Sequence, residues 1–114
     1  MPPGAHAERA TWHPESMWIG WIELDLLLGD VHSLKEKRSV VRPILAELRR
    51  RFELSVSEVG HLDLHRRALI GVSVVSLDHR HAGHVLDQVE RAVADRPEIE
   101  LLSAHRGFSA SADE

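Results

Sequence analysis

The sequence predicts an α+β domain of the ferredoxin-like, split βαβ class, in which a four-stranded antiparallel sheet carries two helices on one face. Apolar residues recur with a period of two in the predicted strands and with a helical period in two longer segments. These segments follow one another in the order β-α-β-β-α-β, which is the order of the split βαβ arrangement. The chain has 114 residues, which is the length of a single domain.

The first strand and the first helix have clear signals. Residues 18–28, WIGWIELDLLL, alternate as a strand with one core face. Ser33 and Glu36 have the spacing of a capping box, in which the serine accepts from the Glu36 N–H and the glutamate reaches back to the Ser33 N–H. The helix should run to about Arg51. Pro43 falls inside it, so we expect a bend or a distortion there.

The second half of the chain repeats this logic. β-Branched residues indicate the strands. The second helix should begin after an N-cap residue and end before a proline. Polar residues separate these elements. The predicted elements are a strand at 54–60, a loop at 61–67, a strand at 68–76, a helix between Asp78 and Pro97, and a strand at 98–106.

Polar segments flank this patterned region. We predict a flexible N-terminal extension at 1–16, the ferredoxin-like domain at 17–106 and a polar C-terminal tail at 107–114. No apolar run reaches the roughly 18 residues of a membrane span, and the N-terminal segment lacks the apolar region of a secretory signal. The chain has no cysteine, which excludes disulfides and thiolate metal sites. We therefore expect a cytoplasmic protein that has no contact with membranes.

The first helix is strongly basic although the whole chain has a formal net charge of -4. Residues 33–52 hold seven of the 14 Lys and Arg residues. At roughly 100° per residue, four of them form one stripe within about a sixth of the circumference. Cations near a helix N-terminus oppose the helix dipole, so a phosphate-bearing partner is one explanation and a solvated helix face is the other. The candidate RNA- or anion-binding residues are Lys35, Lys37, Arg38, Arg42, Arg49, Arg66 and Arg67.

The predicted fold leaves one sheet face without helices. Trp21, Leu69 and Val75 should point to this open face, and exposed apolar patches often mark partner surfaces. Glu23 and Asp25 interrupt the patch. We expect a homo-oligomer that forms through this face or through a sheet edge.

Catalytic and metal-binding signals are weak. Ser, His and Asp residues occur without a nucleophile elbow or a phosphate-binding loop. Two histidine groups are candidate metal ligands, but neither has the spacing of a zinc site; they are His79, His81 and His84, and His61, Asp63 and His65. Asp63 and Arg67, four residues apart, are predicted to order their loop as an ion pair. We expect no enzyme activity, no cofactor and no metal.

The stretches SLKEKRSVV, LSVSEVG and DLHRRA together resemble the YlxP-like family of small bacterial proteins of unknown function. The likeness covers about residues 17–106. It implies the ferredoxin-like fold and, because genes of that family tend to lie among genes for transcription elongation and translation initiation, a role near RNA or the ribosome. The family motif falls on Ser33, Leu34, Lys35, Glu36, Lys37, Arg38, Asp63, Leu64 and Arg67. Two departures stand out: His65 replaces a frequent aromatic residue, and Pro43 interrupts the first helix.

Overall fold

A computed structural model describes residues 16–112, and it confirms the predicted α+β, ferredoxin-like architecture. Six elements occur in the predicted order. They are β1 (Trp18–Leu28), α1 (Leu34–Arg51), β2 (Ser55–Gly60), β3 (Arg67–Ser76), α2 (His79–Ala94) and β4 (Ile99–Ala110). The predicted flexible extension at 1–16 lies outside the described residues, apart from Ser16.

The four strands form one antiparallel sheet in the order β2-β3-β1-β4. β1 pairs with β3 on one side and with β4 on the other, so β2 and β4 are the edge strands of the described sheet. A register shift interrupts the β1–β4 ladder between Asp25 and Leu26. Another falls between Glu58 and Gly60, where β2 ends against β3.

The core lies between the sheet and the two helices. Alternate residues of the central strands and one side of each helix meet there, as the periodicity of two and the helical periodicity predict. The largest fully buried side chains are Ile22, Leu24, Leu26, Leu28, Ile44, Leu48, Ile70, Leu86, Val89 and Val93. Burying an aliphatic side chain of this size stabilises the fold by about 1.5–3 kcal/mol.

Both helices begin as predicted. Ser33 Oγ accepts from the Glu36 N–H at 3.0 Å, and Asp78 Oδ1 accepts from the Arg80 N–H at 2.9 Å. The second half of the capping box differs in detail, because Glu36 accepts from the His32 N–H at 2.7 Å rather than from the Ser33 N–H. α1 continues as one helix through Pro43, whose ring is exposed.

The last strand is longer than predicted. β4 continues to Ala110, so residues 107–110, which the sequence assigns to a polar tail, belong to the sheet. Phe108 pairs with Gly20 of β1, and the Ser111 N–H donates to the Met17 carbonyl at 2.7 Å just past the strand. Neither helix within residues 16–112 has the length and apolar composition that a membrane crossing needs.

Candidate nucleic-acid interface

Two contacts fix how α1 is rotated about its axis. On one flank of the helix, Glu47 forms an ion pair with Arg96, which follows α2. On the opposite flank, Arg49 donates to the backbone carbonyl of Val56 in β2 at 3.0 Å. Lys35, Arg38 and Arg42 share the Arg49 flank at helical spacing. This flank therefore faces away from α2 and lies along the outer edge of the molecule, beside strand β2.

α1 runs antiparallel to β2 and lies beside it over its whole length. Lys37 contacts His61 just past one end of the strand, and Arg49 contacts Val56 near the other. Twelve helical residues span about 18 Å, and five strand residues span about 17 Å. The two lengths match, so the segment of α1 between Lys37 and Arg49, which includes Arg38 and Arg42, lies alongside β2.

Lys35, Arg38 and Arg42 form the exposed part of this flank, and we call these three residues the basic stripe. All three side chains are exposed. Within residues 16–112, none of the three forms an ion pair or a side-chain hydrogen bond. Arg49, the fourth predicted member, is also exposed but uses one N–H group on Val56. Three cations thus face solvent together, and no carboxylate of residues 16–112 pairs with them.

Lys37 does not belong to this surface, although the sequence predicts that it binds RNA or anions. Its side chain is only 3% exposed, on the sheet-facing side of α1. The Lys37 ammonium donates to the His61 carbonyl at 2.8 Å. It also lies 2.7 Å from Glu58 Oε2, in an ionic contact whose geometry is not that of a hydrogen bond. Lys37 therefore joins α1 to β2 and to the loop that follows.

Arg67 also has a structural partner, and it is not the predicted one. Its guanidinium binds both carboxylate oxygens of Asp25, at 2.6 and 2.8 Å, across the β1–β3 pair. Asp63 is exposed and takes no part in this ion pair. The hydrogen bond from Arg67 is the main reason why the pKa of Asp25 lies below its usual value. The predicted loop-ordering pair of Asp63 and Arg67 is therefore wrong.

The loop between β2 and β3 is held by backbone contacts. His61 has a φ of 57°, in the left-handed region that few side chains adopt. Its carbonyl accepts both from Lys37 and from the Leu64 N–H, at 2.8 and 3.0 Å. Arg66 donates to the carbonyl of Gly29 at 2.8 Å while its side chain stays exposed. Arg66 thus ties the loop to the turn before α1 and remains at the surface.

Sequence reasoning did not predict the partners of Lys37 and Arg67, which are Glu58 and His61 for Lys37 and Asp25 for Arg67. One signal was available, because Lys37 falls within the apolar arc of its helix and a buried ammonium needs a partner. The identity of that partner depends on how α1 packs on β2. The sequence marks His61 only as a candidate metal ligand, whereas its backbone carbonyl is the group that contacts Lys37.

The open sheet face holds the predicted apolar residues, but they differ in exposure. Val75 is 64% exposed, whereas Trp21 and Leu69 are partly buried. The Trp21 indole lies against Gly107 of β4, where a Cβ atom would overlap the ring, and its centroid is 5.2 Å from that of His105. A shallow depression of about 390 Å³ lies between Trp21 and Val59. Trp21 thus covers part of its own face.

The histidine groups do not assemble into a metal centre in the described part of the chain. Among residues 16–112, no three His, Asp or Glu side chains converge closely enough to hold an ion. His79 instead packs between Trp18 and Phe108, with ring centroids 4.7 and 4.3 Å away.

Comparison with known proteins identifies the family. The profile described as "Protein of unknown function (DUF503)" matches residues 19–106, and the chain belongs to this family. The chain is similar to the "Uncharacterized protein YlxP" of Bacillus subtilis (strain 168), with 35% identity over 82 residues. That match covers 72% of this chain and 89% of the Bacillus protein. The resemblance noted in the sequence is therefore confirmed, and the family's function is unknown.

Proposed function

We propose that this member of the family is a non-enzymatic cytoplasmic protein that associates with RNA or ribosomal particles through the basic stripe of α1. The observation that carries the proposal is the stripe itself. Lys35, Arg38 and Arg42 are exposed on one flank and have no acidic partner among residues 16–112. Lysine and arginine side chains in such an array neutralise phosphates and release their counterions.

The fold gains nothing from this arrangement of charges. Arg38 and Arg42 are four residues apart, and like charges at that spacing destabilise a helix by about 0.2–0.5 kcal/mol. Lys35 lies in the first turn of α1, where the helix dipole disfavours a cation. Since the protein as a whole carries a formal charge of -4, a concentrated cationic flank is not a by-product of composition. A polyanionic partner would offset these local costs.

The decisive variant replaces Lys35, Arg38 and Arg42 together by glutamine. Glutamine keeps helix propensity, and the three positions are exposed, so the unfolding free energy should change little. Binding to RNA or to ribosomal particles should weaken. The slope of log affinity against log salt should flatten by about 0.7–0.9 for each phosphate that the variant no longer neutralises.

A matched control removes the same charge elsewhere. Arg50, Arg80 and Arg91 are exposed and form no ion pair within residues 16–112. The glutamine triple at these positions tests whether net charge alone governs binding. Equal weakening by both triples would show that the stripe is not a site. A parent protein that binds no RNA and no ribosomal particle at low salt would end the proposal.

A second candidate function is self-association through the open sheet face. It is favoured by the exposed Val75 and by the depression between Trp21 and Val59. Val75→Glu adds a carboxylate to this face without removing a buried side chain. If the face is a subunit interface, desolvation of the new charge should shift the protein towards monomer in light scattering. A parent protein that is monomeric at every concentration in a dilution series would exclude this candidate.

A further inference from the structure

We infer that the outer edge of β4 is an interaction surface for a second copy of this chain, in which the two β4 strands pair antiparallel about a two-fold axis at Gly107. This inference goes beyond the proposed function, because it involves neither the basic stripe nor the packing of one open sheet face on another. Two features carry it: the difference between the two edges of the sheet, and the sequence of the β4 edge.

The β2 edge of the sheet is protected by the protein itself. β2 has only six residues, and a register shift interrupts its ladder near the end. Arg49 donates to the Val56 carbonyl on the side of β2 that faces away from β3. Lys37 donates to the His61 carbonyl just past the strand. Short strands, irregular pairing and basic side chains at an edge all hinder its pairing with another chain.

The β4 edge is longer and has fewer of these devices. β4 has 12 residues and contains neither lysine nor proline. Its exposed carboxylate, Glu100, and the register shift in its ladder with β1 both lie before residue 103. Arg106 is turned onto α2, where it binds Asp87 and Glu90. Residues 103–110 therefore form a regular edge without the protection that β2 has.

The backbone groups of this edge are free to pair. The Ser111 N–H donates to the Met17 carbonyl, and the ladder runs from there to Ser103 without a shift. Bonded and non-bonded pairs alternate along an antiparallel ladder, so every second residue of β4 turns its N–H and C=O groups away from β1. These residues are Ala104, Arg106, Phe108 and Ala110. No group of residues 16–112 bonds to their outward N–H and C=O groups.

The sequence of residues 103–110 fits a copy of itself in one register. An antiparallel pair about an axis at Gly107 joins all four outward-facing residues in about eight backbone hydrogen bonds, and it sets Arg106 opposite Phe108 of the second copy. An axis at Arg106 sets two arginines directly opposite each other, which destabilises a strand pair. An axis at His105 draws the irregular start of β4 into the ladder, and one at Phe108 leaves fewer pairs.

Trp21 adds an apolar contact at the same axis. Its indole lies over Gly107 on the open face, where a Cβ atom would overlap the ring. The indole therefore leans from β1 towards the edge strand. In the proposed pair the two glycines are opposite each other with Cα atoms about 4.5 Å apart, so the two indoles come together above the paired strands. Tryptophan is among the residues that contribute most at protein interfaces.

Cysteine cross-linking tests the register, because the chain has no cysteine of its own. His105 and Ser109 are exposed, and in the proposed pair they lie opposite each other in two copies. Their Cα atoms are then about 4.5 Å apart, which a disulfide can span. The same residue of the two copies is offset by about 13 Å along the strands. His105→Cys and Ser109→Cys proteins should therefore each stay unlinked alone under mild oxidation, and an equimolar mixture of the two should form a disulfide-linked dimer.

Light scattering on the full chain tests the edge itself. The parent protein should be a dimer that dissociates on dilution. Ala104→Pro removes an outward N–H at an exposed position and leaves the ladder with β1 in place. Its dimer dissociation constant should rise about tenfold, because two hydrogen bonds between the copies are lost, while its urea midpoint at low protein concentration stays near that of the parent. Val75→Glu, on the open face of β3, is the control and should leave the dimer unchanged.

The outcomes distinguish this inference from the proposed function. A parent protein that is monomeric at every concentration overturns the inference and leaves the RNA-binding proposal standing. Linking of either single cysteine protein alone, or no linking in the mixture, overturns the register at Gly107. A dimer that Val75→Glu dissociates and Ala104→Pro does not would place the interface on the open face and overturn the role of β4.

Discussion

The buried ammonium of Lys37 offers the sharpest test of how α1 is joined to the sheet. Lys37→Met keeps the length and the apolar stem of the side chain but removes its charge. The change leaves Glu58, which is 22% exposed, and the His61 carbonyl without their shared partner. Removing one partner of a buried ion pair costs about 3–5 kcal/mol. Since Glu58 keeps some contact with water, we expect a cost near the lower end, about 3 kcal/mol.

Urea denaturation measures this cost directly. Small domains lose about 1–3 kcal/mol of unfolding free energy per molar urea, so the midpoint should fall by about 1–3 M. The effect is large against a total stability of about 5–15 kcal/mol. Lys35→Met is the matched control, because Lys35 is exposed in the same helix and has no partner within residues 16–112. It should change the free energy by no more than about 0.5 kcal/mol.

The double variant Lys37→Met with Glu58→Leu completes a thermodynamic cycle. Replacing both members of a buried ion pair by apolar side chains is often neutral, so the second substitution should recover most of the stability that the first removes. Additive losses would mean that the two side chains do not interact. If Lys37→Met costs no more than Lys35→Met, Lys37 is solvated and the described packing of α1 on β2 is wrong.

Three further predictions address other parts of the fold. Ser33→Ala should cost about 0.5–2 kcal/mol in denaturation, because a helix-start N–H loses its acceptor, and an unchanged midpoint would place the start of the helix elsewhere. Gly107→Ala should lower the unfolding free energy by about 1–3 kcal/mol, because the new Cβ overlaps the Trp21 indole. The same change in a Trp21→Leu variant should cost much less. An equal cost in both proteins would refute the contact. Arg67 lowers the pKa of Asp25. The contribution of Asp25 to stability is therefore present above its unfolded pKa of about 3.9 and is lost as pH falls through the folded pKa. Asp25→Asn should make the unfolding free energy less dependent on pH in this acidic range, and an unchanged pH dependence would argue against the pair.

The fold could be predicted because each element has a local signal. Alternation defined β1, a serine and an aspartate capped the two helices, and the order of elements left few topologies. The end of β4 was missed for a physical reason. Gly107 and Phe108 look like a polar tail in composition, and only their pairing with Trp21 and Gly20 makes them part of the sheet.

Polar contacts were harder to predict, because sequence distance is a poor guide to them. Asp63 lies four residues from Arg67, and that spacing favoured an ion pair. The register of β1 on β3 instead sets Asp25 opposite Leu69 and Leu27 opposite Arg67, so the carboxylate is the diagonal neighbour of the guanidinium. Such a pairing depends on the strand register, which local sequence does not specify. The Lys37 contacts depend in the same way on how α1 packs on β2.

The motif that links this chain to its family separates into two groups of residues once the contacts are known. Four residues of the motif have contacts that hold the fold together. Ser33 caps α1, and Glu36 accepts from the turn before it. Lys37 contacts the residue that follows β2, and Arg67 pairs with Asp25 across β1 and β3. These residues can be explained without any ligand. Lys35 and Arg38 have no such partner, because they are exposed and contact no carboxylate within residues 16–112. A search for function should therefore begin with this second group and with Arg42 beside it, since substitutions in the first group would lower binding and stability together and leave the cause undecided.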